Sequence, residues 1–105
     1  MSKYQRNKGR RSEQQAAELW RKIGFPFCRR NISQYQERSG RDLVNTEPYL
    51  VQIKVGANPS IWKALREAQA EAKKDEIPLA MVKRDRGEWV VVMGWRSFTR
   101  VMNPR

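Results

Sequence analysis

From Tyr49 to Lys54 the chain reads Tyr-Leu-Val-Gln-Ile-Lys, an apolar run broken by polar side chains at alternate positions. Strand side chains alternate between faces, so Gln52 and Lys54 share one face while Val51, Ile53 and Val55 share the other. Upstream, Ser12 and Gln15 fit a capping box, and Ala16, Trp20 and Ile23 mark the apolar stripe of a helix that Gly24 and Pro26 stop. Helical spacing puts Glu13 on that stripe and turns Glu18 away. The stretch from Phe25 to Arg30 predicts a short strand, and residues 31–40 a polar loop. Residues 56–59 break the long strand, and Pro59 or Ser60 opens a second helix reaching about Lys74, with Ile61, Leu65, Ala68 and Ala72 inward. A strand follows from Pro78 to Lys83, then a turn over residues 84–87 and a last strand from Glu88 to Met93. Val90, Val91 and Val92 make that strand too apolar for a one-sided edge. Residues 96–102 predict a short closing helix.

The order is helix, three strands, helix, two strands. A strand–helix–strand unit over residues 49–83 implies a parallel pair with a right-handed crossover, hence an α/β fold with a mixed sheet. If residues 46–48 turn the chain between antiparallel strands, the simplest register sets Leu43 opposite Val51 and Asp42 opposite Gln52. Asp42, Gln52 and Lys54 then converge on one patch, the footprint of a metal-dependent phosphodiesterase site.

At 105 residues the chain has room for one modest core. Its formal charge is +11, with 22 Lys and Arg against 11 Asp and Glu, which argues for a polyanionic partner, nucleic acid first. Neither a membrane-spanning run nor a signal-peptide stretch is evident, so a cytoplasmic protein is expected. Residues 1–11 carry five cations and no acid and read as a basic arm, either ordering on phosphate or merely solubilising; residues 12–105 form the single domain. Lys8, Arg10, Arg11, Arg29, Arg30, Arg38, Arg41 and Lys83 are the candidate phosphate contacts. The absence of histidine removes Ser-His and Cys-His nucleophiles, His-based zinc sites and His acid–base catalysis. Cys28 stands alone and reads as a small buried hydrophobe beside Phe25 and Phe27. Any chemistry falls to carboxylates, amides, lysines and a hard cation.

An acid at the second strand and a residue-x-Lys pair on the third, set in this element order, resemble the PD-(D/E)XK nuclease superfamily. Within it the chain resembles the small Holliday-junction resolvase-like endonucleases of archaea and phages. The matching stretches are Gly9-Arg-Arg-Ser-Glu13, Gly24-Phe25, Ser39-Gly-Arg-Asp42, Val51-Gln-Ile-Lys54 and Glu67 to Ala72 leading to Pro78 to Lys83, together covering most of residues 9–102. The resemblance implies a restriction-endonuclease-like αβββαβ core, a central mixed sheet flanked by helices, and Mg²⁺-dependent (or Mn²⁺-dependent) hydrolysis of DNA, branched DNA included, by a homodimer. It further implies that Asp42, Gln52, the Ile53 carbonyl and Glu13 surround the metal, while Lys54 activates water and counters phosphorane charge. The family's usual second acid is replaced by Gln52, whose amide can ligate a cation but brings no charge. Glu47 does not substitute, since five strand residues span roughly 16 Å. Two readings therefore stand: an attenuated nuclease, and a nuclease-fold DNA-binding protein without hydrolysis. The bland reading makes Lys54 an exposed strand lysine and Asp42 a turn residue.

Overall fold

A computed structural model describes residues 3–32 and 41–103. The first helix, α1, spans Lys3–Lys22. It begins nine residues before the expected start: the Ser12 hydroxyl donates to the Lys8 carbonyl at 3.0 Å inside the helix rather than capping it. Arg, Lys and Gln are good helix formers, so the basic stretch extends the helix without a cap signal. Its end follows the glycine logic. Phe25 N–H donates to Trp20 C=O (3.1 Å) and Gly24 N–H to Arg21 C=O (3.4 Å), with Gly24 at φ +120°, the paired-bond ending that needs a residue without Cβ. This turn delivers Phe25 edge-on to Trp20, ring centroids 4.9 Å apart, and leaves Ile23 exposed instead of on the core stripe.

Of the expected strand over residues 25–30 only β1, Arg29–Arg30, forms, with Phe27 exposed. It pairs antiparallel with β2, Leu43–Val44, in the register Arg29↔Val44 and Arg30↔Leu43. The hairpin register expected between β2 and the next strand is thus replaced. β3, Tyr49–Gly56, runs parallel to β4, Ile77–Arg84, with Gln52 beside Ala80 and Lys54 beside Val82. The crossover is α2, Ile61–Glu71, capped by Ser60 Oγ accepting Lys63 N–H. It buries Ala64, Leu65 and Ala68, ends three residues early and leaves Ile61 exposed. β5, Val90–Val92, pairs antiparallel with β4, and α3, Trp95–Met102, closes the described chain.

The fold is α/β: a mixed sheet ordered β3-β4-β5 flanked by helices, with β1-β2 as a separate ribbon. On one face α1 sets Ala16, Ala17 and Trp20 against Val51, Leu79 and Met81, with Cys28 and Leu43 in the same core. Trp20 Nε1 donates to Met81 Sδ at 2.9 Å, so the indole is placed by a polar contact as well as by packing. On the other face Ala64 of α2 meets Ala80 and Val82, small residues that let helix and sheet approach closely. β5 is the sheet's terminal strand with Val90 and Val91 exposed, contrary to the burial their apolarity predicted. No helix among the described residues is long and apolar enough to cross a membrane.

Candidate active site

The edge of β3 away from β4 would present its amides to water were it not for Asp42. Asp42 is held through its own peptide groups: its N–H donates to Val51 C=O (3.2 Å), and its C=O accepts from Asn31 N–H (3.0 Å). Asn31 Nδ2 also donates to the Arg41 carbonyl at 3.0 Å, fixing the preceding residue. So anchored, the Asp42 carboxylate Oδ2 accepts the Ile53 N–H at 2.7 Å. The backbone bond thus joins Asp42 to Val51, one residue short of the Gln52 expected opposite it. In a pleated strand the N–H and C=O of one residue point the same way, so the Ile53 carbonyl faces the Asp42 edge as well.

Burial is the main force on this carboxyl. It raises the Asp42 pKa from 3.8 to about 7; the Ile53 amide and Lys54 oppose the rise, and the nearby charges of Glu13 and Glu67 add to it. Three charged side chains from three elements therefore act on Asp42: Glu13 from α1, Lys54 from β3 and Glu67 from α2. Gln52 is buried on the same face of β3 as Lys54, and every buried polar side-chain atom among the described residues, Gln52 included, has a partner. Lys54 Nζ lies 3.9 Å from Glu67 Oε2, both partly exposed, a loose pair of little intrinsic stability. Glu13 Oε1 accepts Arg30 Nε at 3.0 Å in a tighter, more buried pair.

Glu67 is the residue that sequence reasoning passed over. It falls outside the inward stripe of Ile61, Leu65, Ala68 and Ala72, and nothing in the helical period distinguishes it from Glu71. Only the parallel crossover carries α2 back across the sheet and sets Glu67 above Lys54, putting an acid near the position where Gln52 lacks one.

A cleft of about 480 Å³ opens beside this cluster, walled by Lys8, Glu13, Ile53 and Lys54 among others. Asp42 is not on its wall; it stands at the strand edge behind Ile53. A neighbouring trough shares Lys8 and adds Arg11, Lys83 and Arg86. The largest groove, about 750 Å³, lies elsewhere along α1 and β1, lined by Arg11, Arg21, Arg29 and Arg30. Of these three cavities, only the first, the cleft of about 480 Å³, is walled by charged groups that act on Asp42, namely Glu13 and Lys54.

The candidate phosphate contacts divide accordingly. Arg10, Arg11 and Arg29 are exposed, and Lys83 is half-buried at the trough. Lys8 pairs with Asp85 at 2.6 Å, and Arg30 is taken by Glu13. Arg41 departs furthest from its expected role. Its Nη1 and Nη2 grip the two Glu76 oxygens at 2.9 and 3.1 Å, a bidentate internal clamp rather than a surface contact. Arg38 lies outside the described residues.

A hard cation takes oxygen ligands, and this edge offers the Asp42 carboxylate and the Ile53 carbonyl with Glu13 and Glu67 in electrostatic range. Burial first, and the charges of Glu13 and Glu67 after it, favour a protonated Asp42, and a nearby divalent ion would oppose both. By donor chemistry the residues fit Mg²⁺ or Mn²⁺, although among the described residues no three Asp, Glu, Cys or His side chains stand close enough to enclose an ion. No family model, no curated protein and no solved structure matches the chain.

Proposed function

We propose that the chain is a metal-dependent DNA endonuclease of the PD-(D/E)XK type, acting on branched DNA in the cytoplasm as a symmetric pair. The observation that carries this reading is the Asp42 carboxylate bonded at 2.7 Å to the amide of Ile53, one residue from Lys54, with its pKa raised to about 7. A half-buried acid that is uncomfortable when charged, beside an amine and two further carboxylates, has the make-up of a site prepared for a cation. The net charge of +11 and the Lys8, Arg11 and Lys83 trough support a phosphodiester substrate.

In this reading Asp42 and the Ile53 carbonyl would hold the metal, and Glu67 would supply the charge missing at Gln52, with Glu13 on the opposite flank. The bound ion would act as a Lewis acid on the phosphoryl oxygen and lower the pKa of water. Lys54 orients the attacking water and stabilises the negative charge that develops on the phosphoryl oxygens. Water oxygen forms a bond to phosphorus and gives up a proton to solvent, one P–O ester bond breaks, and the departing alkoxide takes up a proton from solvent. Arg11 and Lys83 bind the flanking phosphates. A nicking assay on duplex, flap and four-way substrates with Mg²⁺ and Mn²⁺ tests the reading: activity should vanish in Asp42→Ala and Lys54→Ala. Equal cleavage by parent and variants removes it.

The second reading, a DNA-binding protein that does not cleave, draws on the neutral Gln52 and the internal pairing of Glu13 with Arg30. Gln52→Glu separates the two. Raised cleavage favours an attenuated nuclease, and persistent inactivity with tight, salt-sensitive binding favours the second.

A further inference from the structure

The edge of the sheet opposite Asp42 has a different character. β5 is terminal in the sheet, and α3 lies beside it with an apolar stripe of Trp95, Phe98, Val101 and Met102. The stripe is wider than the face α3 presents to the sheet. Ser97 is buried and Val101 half-buried, whereas Trp95, Phe98 and Met102 are 77%, 42% and 67% exposed and continue into Val91 at 57%. Trp95 and Phe98 rest on each other, centroids 5.6 Å apart, so the patch is an ordered surface. Between β5 and α3 runs a shallow groove of about 470 Å³ lined by Val91, Val92, Met93, Trp95 and Phe98, with no charged or polar side chain on its wall.

We propose that this β5–α3 surface is where two copies of the chain pair. Its position rests on the symmetric pairing in the proposed function, but on none of the chemistry. Taking 150–250 Å² for a buried aromatic side chain as the scale, Val91, Trp95, Phe98 and Met102 expose on the order of 500 Å². That lies toward the upper end of the contiguous apolar surface a monomer leaves in water, where such patches often carry a function. A standard interface needs roughly 800 Å² from each partner, so this patch supplies more than half of one and its polar rim the remainder. A twofold interface must be complementary to itself, which an apolar stripe beside a terminal strand satisfies without a matching charge pattern. Nucleic acid is a poor occupant, because the groove wall carries no cation to neutralise a phosphate. The location also leaves Asp42 and the β3 edge free, since β3 and β5 are opposite edges of the sheet.

Charge gives the pairing a signature. Each copy carries +11, so two copies repel, and screening salt should tighten the dimer while weakening nucleic-acid binding. Sedimentation velocity of the full chain over roughly 1–100 µM, a range in which interfaces of this size associate, should show a species of twice 12.4 kDa that grows with salt. Trp95→Glu with Phe98→Glu should give a monomer with the parent's circular dichroism. Val91→Lys, which alters only the strand edge, repeats the test if the double variant fails to fold. A parent that stays monomeric at the top of the range, or folded variants that still pair, overturns the proposal. If the parent is monomeric and Trp95→Glu instead weakens DNA binding, the surface belongs to nucleic acid and the proposal falls. Asp42→Ala should stay dimeric, so loss of cleavage and loss of pairing are read separately.

Discussion

Arg41 and Asp42 are neighbours in the chain, yet they lead to two carboxylates in opposite circumstances. Arg41 reaches Glu76, whose oxygens also accept the Lys73 amide at 2.9 Å. Burial pushes the Glu76 pKa up, but the Arg41 clamp, the Lys73 amide and both positive charges outweigh it and leave the group below its ordinary value. Asp42 receives one amide, the distant help of Lys54 and the opposition of two acids, and is left near 7. One carboxylate, Glu76, is compensated and holds the fold together; the other, Asp42, is undercompensated. The contrast separates structure from function more sharply than burial does, because both side chains are partly buried.

The strongest way to break the comparison is kinetic. If Asp42 and Lys54 are the reacting pair, Asp42→Ala and Lys54→Ala should each lower cleavage by about 10²–10³-fold or more, as loss of a group that stabilises transition-state charge does. Glu67→Gln should cost less but shift the metal requirement to higher Mg²⁺, because it removes a charge without altering shape. A Glu76→Gln loss as large as that of Asp42→Ala, with the fold intact, would erase the distinction.

Stability against pH gives the two acids opposite signs. Asp42 has a folded pKa of about 7 above an unfolded value near 3.8, so the native state binds more protons between those limits. Stability therefore falls as pH rises through that window, and the ionised group at pH 8 costs up to about 4 kcal/mol. Asp42→Asn keeps an oxygen for the Ile53 amide and should be more stable than the parent at pH 8 by about 2–4 kcal/mol, with the gain gone near pH 4. Glu76 has a lowered folded pKa, so its contribution is present above the unfolded value and lost as pH falls through the folded one. Glu76→Gln should destabilise by about 1–3 kcal/mol at pH 7, with the deficit closing in acid. Denaturant melts of both variants at several pH values check this; parallel profiles would sink it.

Much of this arrangement was legible in the chain, and the reason for the remainder is specific. The alternation at Gln52 and Lys54 and the crossover to residues 77–84 follow from local periods of two and 3.6, which a sequence displays. Glu67 does not, because its meeting with Lys54 depends on how far α2 travels over the sheet. Arg41 looked like one more surface cation, since its acid lies 35 residues away. The apolar β5 was read as interior because sequence records that a strand needs cover, not whether its own chain or a second copy provides it. The early start of α1 was invisible for a plainer reason: the cap residue Ser12 had the right neighbours, but the basic residues before it were equally able to be helical.

A metal titration sharpens the comparison on a smaller scale. A cation that binds the folded chain through Asp42 stabilises it by mass action, about 1–3 kcal/mol at ten to a hundred times the dissociation constant. Mg²⁺ or Mn²⁺ should therefore raise the melting temperature of the parent at pH 8 by a few degrees, in proportion to that free energy. The rise should shrink toward pH 5, where protons compete for Asp42, and be absent in Asp42→Asn. Glu76→Gln starts from a lower melting temperature yet should show the same increment, since its carboxylate is already satisfied by Arg41.

The smallest effect concerns the arginines themselves. Each phosphate contact contributes a little under one unit to the slope of log affinity against log salt. Arg11→Ala and Arg29→Ala, exposed on the basic surface, should each flatten that slope by about one unit while leaving the melting temperature nearly unchanged. Arg41→Ala should do the reverse, lowering the melting temperature by breaking its bidentate bond to Glu76 and leaving the salt slope as it was. Filter binding to one duplex over a range of salt, beside a melt of each variant, reads both quantities. A flattened slope in Arg41→Ala with no loss of stability would mean that this guanidinium prefers phosphate to Glu76, and the division between the clamp and the cleft would not hold.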